Sequence, residues 1–161
     1  MTNIITAVIV IYNKKIDESI TCKKIQSLSR DIDLLVIDNS EIDMANEEYC
    51  KATSIRYISM KGNKGLSKAY NTAINNSPNS DVIVFFDDDT EIKQDYFNVL
   101  KDALDKYPDV DIFAPIIKGQ DGVIYSPNEF NFLKNHFIVR ADQKISQEAF
   151  NAIASCLAVR V

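Results

Sequence analysis

Val82-Ile83-Val84-Phe85-Phe86-Asp87-Asp88-Asp89 is a run of five apolar residues that passes directly into three carboxylates. The apolar part reads as a strand buried on both faces. The acidic part then falls at the strand's carboxyl end, where open α/β sheets form their ligand crevices. Three adjacent like charges repel one another, and a divalent cation placed among them relieves that repulsion. Mg²⁺ and Mn²⁺ favour carboxylate oxygens and commonly share their shell with substrate phosphates. The triplet reads either as a metal–diphosphate site or as a solvated acidic turn ahead of a helix, whose N-terminus favours negative charge.

Upstream of this stretch the chain alternates. Residues 4–11 form a nearly unbroken β-branched run, ended by Tyr12-Asn13-Lys14-Lys15. Asp17-Glu18-Ser19 supplies acidic and capping residues for a helix to about Ser29, with Ile20, Lys24, Ile25 and Leu28 near one face. Residues 32–37 are a second short strand, stopped by Asp38-Asn39-Ser40. Residues 42–52 can be helical on a weak apolar pattern, and 54–58 read as a third strand. A basic loop, Lys61-Gly62-Asn63-Lys64-Gly65, precedes Leu66, Ala69, Tyr70, Ala73 and Ile74, which recur at helical spacing. Downstream of the triplet, Tyr96, Phe97, Leu100, Ala103, Leu104 and Tyr107 mark another helix, closed by Pro108. Residues 110–114 are a fifth strand, stopped by Pro115.

This alternation predicts an α/β fold, a mostly parallel sheet with helices on both faces. Beyond Pro115 the rhythm breaks. The segments 116–117, 123–125 and 136–139 are short and divided by turn residues, and 153–161 is again apolar.

The totals fit one soluble domain: 161 residues, 46% hydrophobic and 25% charged. The net charge of −5 argues against a nucleic-acid binder, which presents a basic face. No apolar run approaches the roughly 20 residues that cross a bilayer, and the N-terminus lacks the basic start of a signal peptide. A cytoplasmic location is expected. Cys22, Cys50 and Cys156 are odd in number and widely spaced, and read as free thiols. The lone His136 reads as an ordinary surface histidine.

Three polar clusters end strands in this reading: Tyr12-Asn13, Asp38-Asn39-Ser40 and Asp87-Asp88-Asp89. In a parallel sheet those ends share one edge, so the clusters can meet in one crevice. Asp38 can accept hydrogen bonds from a base N–H or a ribose hydroxyl, or can simply be a turn residue. The basic loop can balance phosphate charge, or can be a solvated helix start.

These segments resemble the family 2 glycosyltransferases, with their GT-A nucleotide-sugar-binding fold. VIVIYN at 8–13, VIDNS at 36–40, GNKGLSKAYNTAI at 62–74 and VIVFFDDDTEI at 82–92 carry the resemblance in order and spacing. It covers about residues 4–115, and IASCLAVR at 153–160 is similar to a later strand of the family. The resemblance implies that backbone near Val10, Ile11 and Tyr12 borders the nucleotide base and that Asp38 contacts a uracil or thymine ring. Asn63, Lys64 and Gly65, with Asn71 on the following helix, then shape the base and ribose side. Asp87 to Asp89 is similar to the family's DxD-type motif. Asp87 and Asp88 would lie near ribose and diphosphate, Asp89 is the first choice of direct metal ligand, and Asp87 is the second. Mn²⁺ or Mg²⁺, a UDP- or dTDP-sugar and a glycan acceptor are the implied cofactor and partners, in bacterial surface polysaccharide synthesis. A longer form of the enzyme could associate peripherally with the inner face of the membrane.

The same resemblance divides one GT-A-type domain, 1–161, into a nucleotide-sugar-binding part, 1–115, and the start of an acceptor-side part, 116–161. Inverting members use a carboxylate base within an acidic pair in the second half. Glu129, Asp142 and Glu148 are present, but none sits in a recognisable version of that pair. The catalytic base is therefore unassigned, and a catalytically incomplete nucleotide-sugar-binding fragment is the alternative. A sugar-1-phosphate nucleotidyltransferase is a weaker reading, because Tyr12-Asn13-Lys14-Lys15 has no glycine-rich loop after the first strand.

Overall fold

The computed structural model describes residues 3–28, 31–131, 134–138 and 145–161. Its main sheet is built from β1 (Ile5–Ile11), β2 (Asp33–Asp38), β3 (Arg56–Ser59), β4 (Val82–Phe86), β5 (Ile112–Phe113) and β11 (Leu157–Arg160), in the order β3-β2-β1-β4-β11-β5. The four strands β3, β2, β1 and β4 are parallel, with Ile11 beside Asp38 and Ile9 beside Phe86. The helices between them are α1 (Ile20–Leu28), α2 (Asn46–Thr53), α3 (Leu66–Asn75) and α4 (Tyr96–Lys106). The strand 82–86 is where its apolar run placed it.

Period-two alternation splits the sheet's side chains between two apolar layers. Ile5, Ala7, Ile9 and Ile11 of β1, with Val82, Val84 and Phe86 of β4, pack against Cys22 and Ile25 of α1, Cys50 of α2 and Phe97, Leu100 and Leu104 of α4. Val8, Leu35, Ile37, Ile83 and Phe85 face the other way, onto Ala69 and Ala73 of α3. Each large side chain so buried contributes about 1.5–3 kcal/mol. Helices thus cover both faces, three against one.

Two helical faces differ from the spacing argument. In α1 the buried residues are Thr21, Cys22 and Ile25, and Ile20 is 55% exposed. A one-turn 3-10 helix at Ile16–Glu18 precedes α1, and the Ser19 and Thr21 hydroxyls bond inward, which sets the helix's rotation. In α3 the contact is made by Ala69 and Ala73, while Leu66 and Ile74 remain partly in solvent. Small residues let this helix approach the sheet closely, so its bulky apolar neighbours lie on the flanks.

The second half is less regular. The pair β6 (Ile117–Lys118) and β7 (Ile124–Ser126) forms one ribbon. A separate small sheet has the order β10-β8-β9, from β8 (Asn128–Asn131), β9 (Lys134–Phe137) and β10 (Phe150–Asn151). His136 is exposed on β9; Val139, at the end of that expected segment, lies outside the described residues. The chain then returns to the main sheet. β11 runs antiparallel between β4 and β5, pairing Leu157 with Phe85 and Ala158 with Phe113. The fifth strand is shorter than expected, two residues, and meets β4 only through β11. Arg160 secures this insertion by donating to the carbonyls of Leu104, Tyr107 and Val110.

Candidate functional site

The order β2-β1-β4 places the three polar clusters at one edge of the sheet. Asn13 N–H donates to Ser40 Oγ at 2.8 Å, and Asn13 Oδ1 accepts from the Glu41 and Ile42 N–H groups. Tyr12 is half exposed, and its hydroxyl donates to Glu41 Oε2 at 3.2 Å.

Asp38 is buried, and its carboxylate organises the base of the crevice. Oδ1 accepts the Ser40 N–H at 2.9 Å, in an Asx turn. Oδ2 accepts from Asn46 Nδ2 and from the Tyr57 hydroxyl, each at 2.9 Å. Burial first, and then this hydrogen bond to Asp38, push the Tyr57 hydroxyl well above the usual tyrosine range. Asn46 completes the frame: its Nδ2 also donates to Lys14 O at 3.0 Å, and its Oδ1 accepts the Ile16 N–H at 3.0 Å. Asn39, equally buried, holds the basic loop. Its Oδ1 accepts the Lys64 N–H at 2.8 Å, and its Nδ2 donates to Asn63 Oδ1 at 3.1 Å. Asn63 Oδ1 also accepts the Gly65 N–H at 3.0 Å. Gly65 enters α3 with φ of 83°, a left-handed value that glycine tolerates without strain.

A pocket of about 280 Å³ opens beside Asp38, between Ser40, Tyr57, Ser59, Lys61 and Gly62. Glu41, Asp43, Glu47 and Glu48 also line it, so this end of the crevice is acidic.

The triplet is held from behind by α1. Thr21 Oγ1 donates to Asp87 O at 2.6 Å, and Ser19 Oγ donates to Asp88 O at 2.7 Å. The three carboxylates then take three different surroundings. Asp87 accepts a hydrogen bond from Ser155 Oγ, on the loop before β11. Asp88 pairs with Lys14 Nζ at 2.5 Å, an interaction that raises the Lys14 pKa. Asp89 is exposed and takes no hydrogen bond among the described residues. No three His, Cys, Asp or Glu side chains converge into a ready-made metal cage among the described residues. The triplet offers one open carboxylate and two that are already engaged.

Two further residues feel Asp87. Tyr70 of α3 packs on Phe85 with ring centroids 4.4 Å apart. Burial, and then the Asp87 charge, push its hydroxyl up to about 12. Cys156 is pushed up to about 12 for the same two reasons in the same order.

The structure therefore brings together Tyr12, Asp38, Asn63, Gly65, Asp87, Asp88 and Asp89 at one edge. Asn71 lies exposed on α3, and its side chain takes no hydrogen bond among the described residues. Glu148 lines a different cavity of about 350 Å³ with Phe130, Ala149, Phe150 and Asn151, none of them at a strand end of the main sheet. Glu129 accepts the Ser146 N–H at 3.3 Å, and Asp142 lies outside the described residues.

Sequence reasoning missed Lys14, Asn46 and Ser155 as parts of the site. Lys14 carried a readable signal, a cation three residues past the end of β1, the strand beside the one that leads into the triplet. Ser155 carried none, because its place depends on how β11 inserts.

The sequence profile of glycosyl transferase family 2 matches residues 6–161. The chain belongs to this family. Its structural relatives are GT-A glycosyltransferases. S. aureus TarS 1-349 in complex with UDP-GlcNAc superposes with a TM-score of 0.60 at 17% identity, over 81% of this chain and 41% of that one. GalNAc-T7 with UDP, GalNAc and Mn²⁺ gives 0.72 at 15% identity, over 99% of this chain and 35% of that one. Glucosyl-3-phosphoglycerate synthase from Mycobacterium tuberculosis, in complex with UDP, gives 0.58 at 19%, over 73% and 46%. The family 2 chain described here thus spans less than half the length of each of these relatives. No curated protein sequence matches it. Among its described residues, no helix is long and apolar enough to cross a membrane.

Proposed function

We propose that this family 2 chain is the donor-binding part of an inverting glycosyltransferase. Its reaction would move a sugar from a UDP- or dTDP-sugar to a glycan acceptor, in bacterial surface polysaccharide synthesis. The observation that carries the reading is the placement of Asp38 and the Asp87–Asp89 triplet at the same edge of the sheet, at the carboxyl ends of β2 and β4 on either side of β1.

The two ends suit different parts of a nucleotide sugar. The acidic pocket beside Asp38 repels phosphate and suits a neutral nucleoside, with its base N–H and ribose hydroxyl donors. Asp38 Oδ1 has one protein donor and can accept another. The diphosphate belongs at the triplet. Hard carboxylate oxygens, with Asp89 open to solvent, fit a Mg²⁺ or Mn²⁺ that takes only one or two protein ligands and fills its shell with water and phosphate. Asp89 is the ligand of first choice and Asp87 the second. Such a cation, when bound, stabilises charge growing on the leaving nucleoside diphosphate. The protein's own part is positional: Ser19 and Thr21 fix the triplet's backbone, and Asn39 fixes the loop above the ribose side.

Relatives with UDP or UDP-GlcNAc bound support uridine nucleotides as the first to try. Calorimetric titration with UDP and dTDP, each with and without Mn²⁺, tests the proposal. Metal-dependent binding of either nucleotide is expected. No binding of either at millimolar concentration with Mn²⁺ present overturns it.

A further inference from the structure

Lys14 connects the two ends of the crevice. Its carbonyl accepts from the same Asn46 amide that donates to Asp38, so its backbone is fixed to the base end. Its ammonium reaches the other end and lies 2.5 Å from Asp88 Oδ2. Asp88 is itself fixed, because its carbonyl accepts from Ser19 Oγ and from the Thr21 N–H. Only the flexible stem and ammonium of Lys14 are left free to move. The other ion pairs among the described residues lie elsewhere: Lys51–Glu47 on the surface of α2, and Arg56–Asp33 at the opposite edge of the sheet. Lys14–Asp88 is the one ion pair at the crevice among the described residues.

We propose that Lys14 is an internal counter-ion that changes partner. It pairs with Asp88 in the free protein and moves to the donor's diphosphate when a divalent cation joins the triplet. The inference rests on the donor-binding reading above. A cation among these carboxylates repels an ammonium already seated on one of them. The same cation brings phosphate oxygens within reach of that ammonium, and lysine is a compact, mobile point charge suited to phosphate. The pair is partly exposed, with side chains 32% and 25% accessible, so the exchange takes neither charge out of a dry interior. Lys14 is on this account a positioning residue for the diphosphate and a competitor of the metal.

The two roles predict effects of opposite sign, which a merely structural lysine would not produce. Lys14→Gln is expected to bind Mn²⁺ alone several-fold more tightly than the wild type, read by the loss of free Mn²⁺ signal in electron paramagnetic resonance. The same variant should bind UDP with Mn²⁺ about tenfold more weakly by calorimetry. Uridine binding, followed by NMR, should not change. Lys14→Arg, which keeps the charge, should return UDP affinity most of the way to wild type. Equal UDP affinity in Lys14→Gln and wild type, or unchanged affinity for Mn²⁺ alone, overturns the exchange while leaving the donor reading intact. A wild-type protein that binds neither uridine nor UDP overturns both.

Discussion

Ser155 donates a hydrogen bond to the Asp87 carboxylate across 68 residues of sequence. The acidic triplet is therefore shaped from both sides, by α1 from behind and by the β11 loop from the front. Thr90 Oγ1 lies 3.3 Å from the same serine hydroxyl, so the contact is part of a small network rather than an isolated bond.

Ser155→Ala removes the donor and leaves Asp87 to solvent. The expected cost is about 0.5–1.5 kcal/mol of folding stability, the usual value for one hydrogen bond. Urea denaturation measures it. A variant as stable as wild type would show that the contact has no net worth.

Asn46→Ala should be more damaging. Asn46 is 2% exposed; it accepts from the Ile16 N–H and donates to the Lys14 carbonyl and to Asp38, so its loss leaves a buried donor and a carbonyl unpaired and takes from Asp38 Oδ2 one of its two donors. About 2–3 kcal/mol is expected. Nucleotide affinity should fall with it, because the Asp38 end of the crevice loses its frame.

Asp89 and Asp38 should separate in their effects. Asp89→Asn is expected to leave the melting temperature unchanged, since the side chain is exposed and takes no hydrogen bond among the described residues, and to abolish the Mn²⁺ dependence of UDP binding. Asp38→Asn should lower UDP affinity by about 1–3 kcal/mol while keeping the Mn²⁺ dependence. Parallel titrations of both variants decide it, and an equal loss of Mn²⁺ dependence would count against the division.

The protein should weaken in alkali. Burial pushes the Cys22 thiol up to about 11 and the Cys50 and Cys156 thiols up to about 12, from an ordinary 9.0. Well below pH 9 folded and unfolded chains hold these protons equally. Above it the unfolded chain releases them and the folded chain does not, so stability falls as pH rises from there toward the folded values. Denaturation midpoints between about pH 8 and about pH 10.5 should show the decline.

Much of this was legible because the parallel core is written locally. The run 82–86 is apolar at every position, which only a strand covered on both faces requires, and the structure gives that strand both covers. The convergence of Asp38 and the triplet follows from alternation alone. The order of the remaining strands does not, since no local pattern says that residues 157–160 lie between β4 and β5. Ser155 was invisible for that reason. Asp38 was legible as a polar residue ending a strand beside the triplet's, but its engagement with Asn46 and Tyr57 depends on two elements that the sequence reading placed only coarsely, the helix at 46–53 and the strand at 56–59.

The antiparallel insertion of β11 also bears on how the chain reaches this fold. As the ribosome delivers it, β4 can pair with β1 early, yet the other edge of β4 stays bare until residues 157–160 emerge. That edge belongs to an entirely apolar strand, the kind that templates association between unfinished chains. Folding at the acidic end of the crevice is thus expected to finish late, and the nascent protein to depend on chaperones until it does.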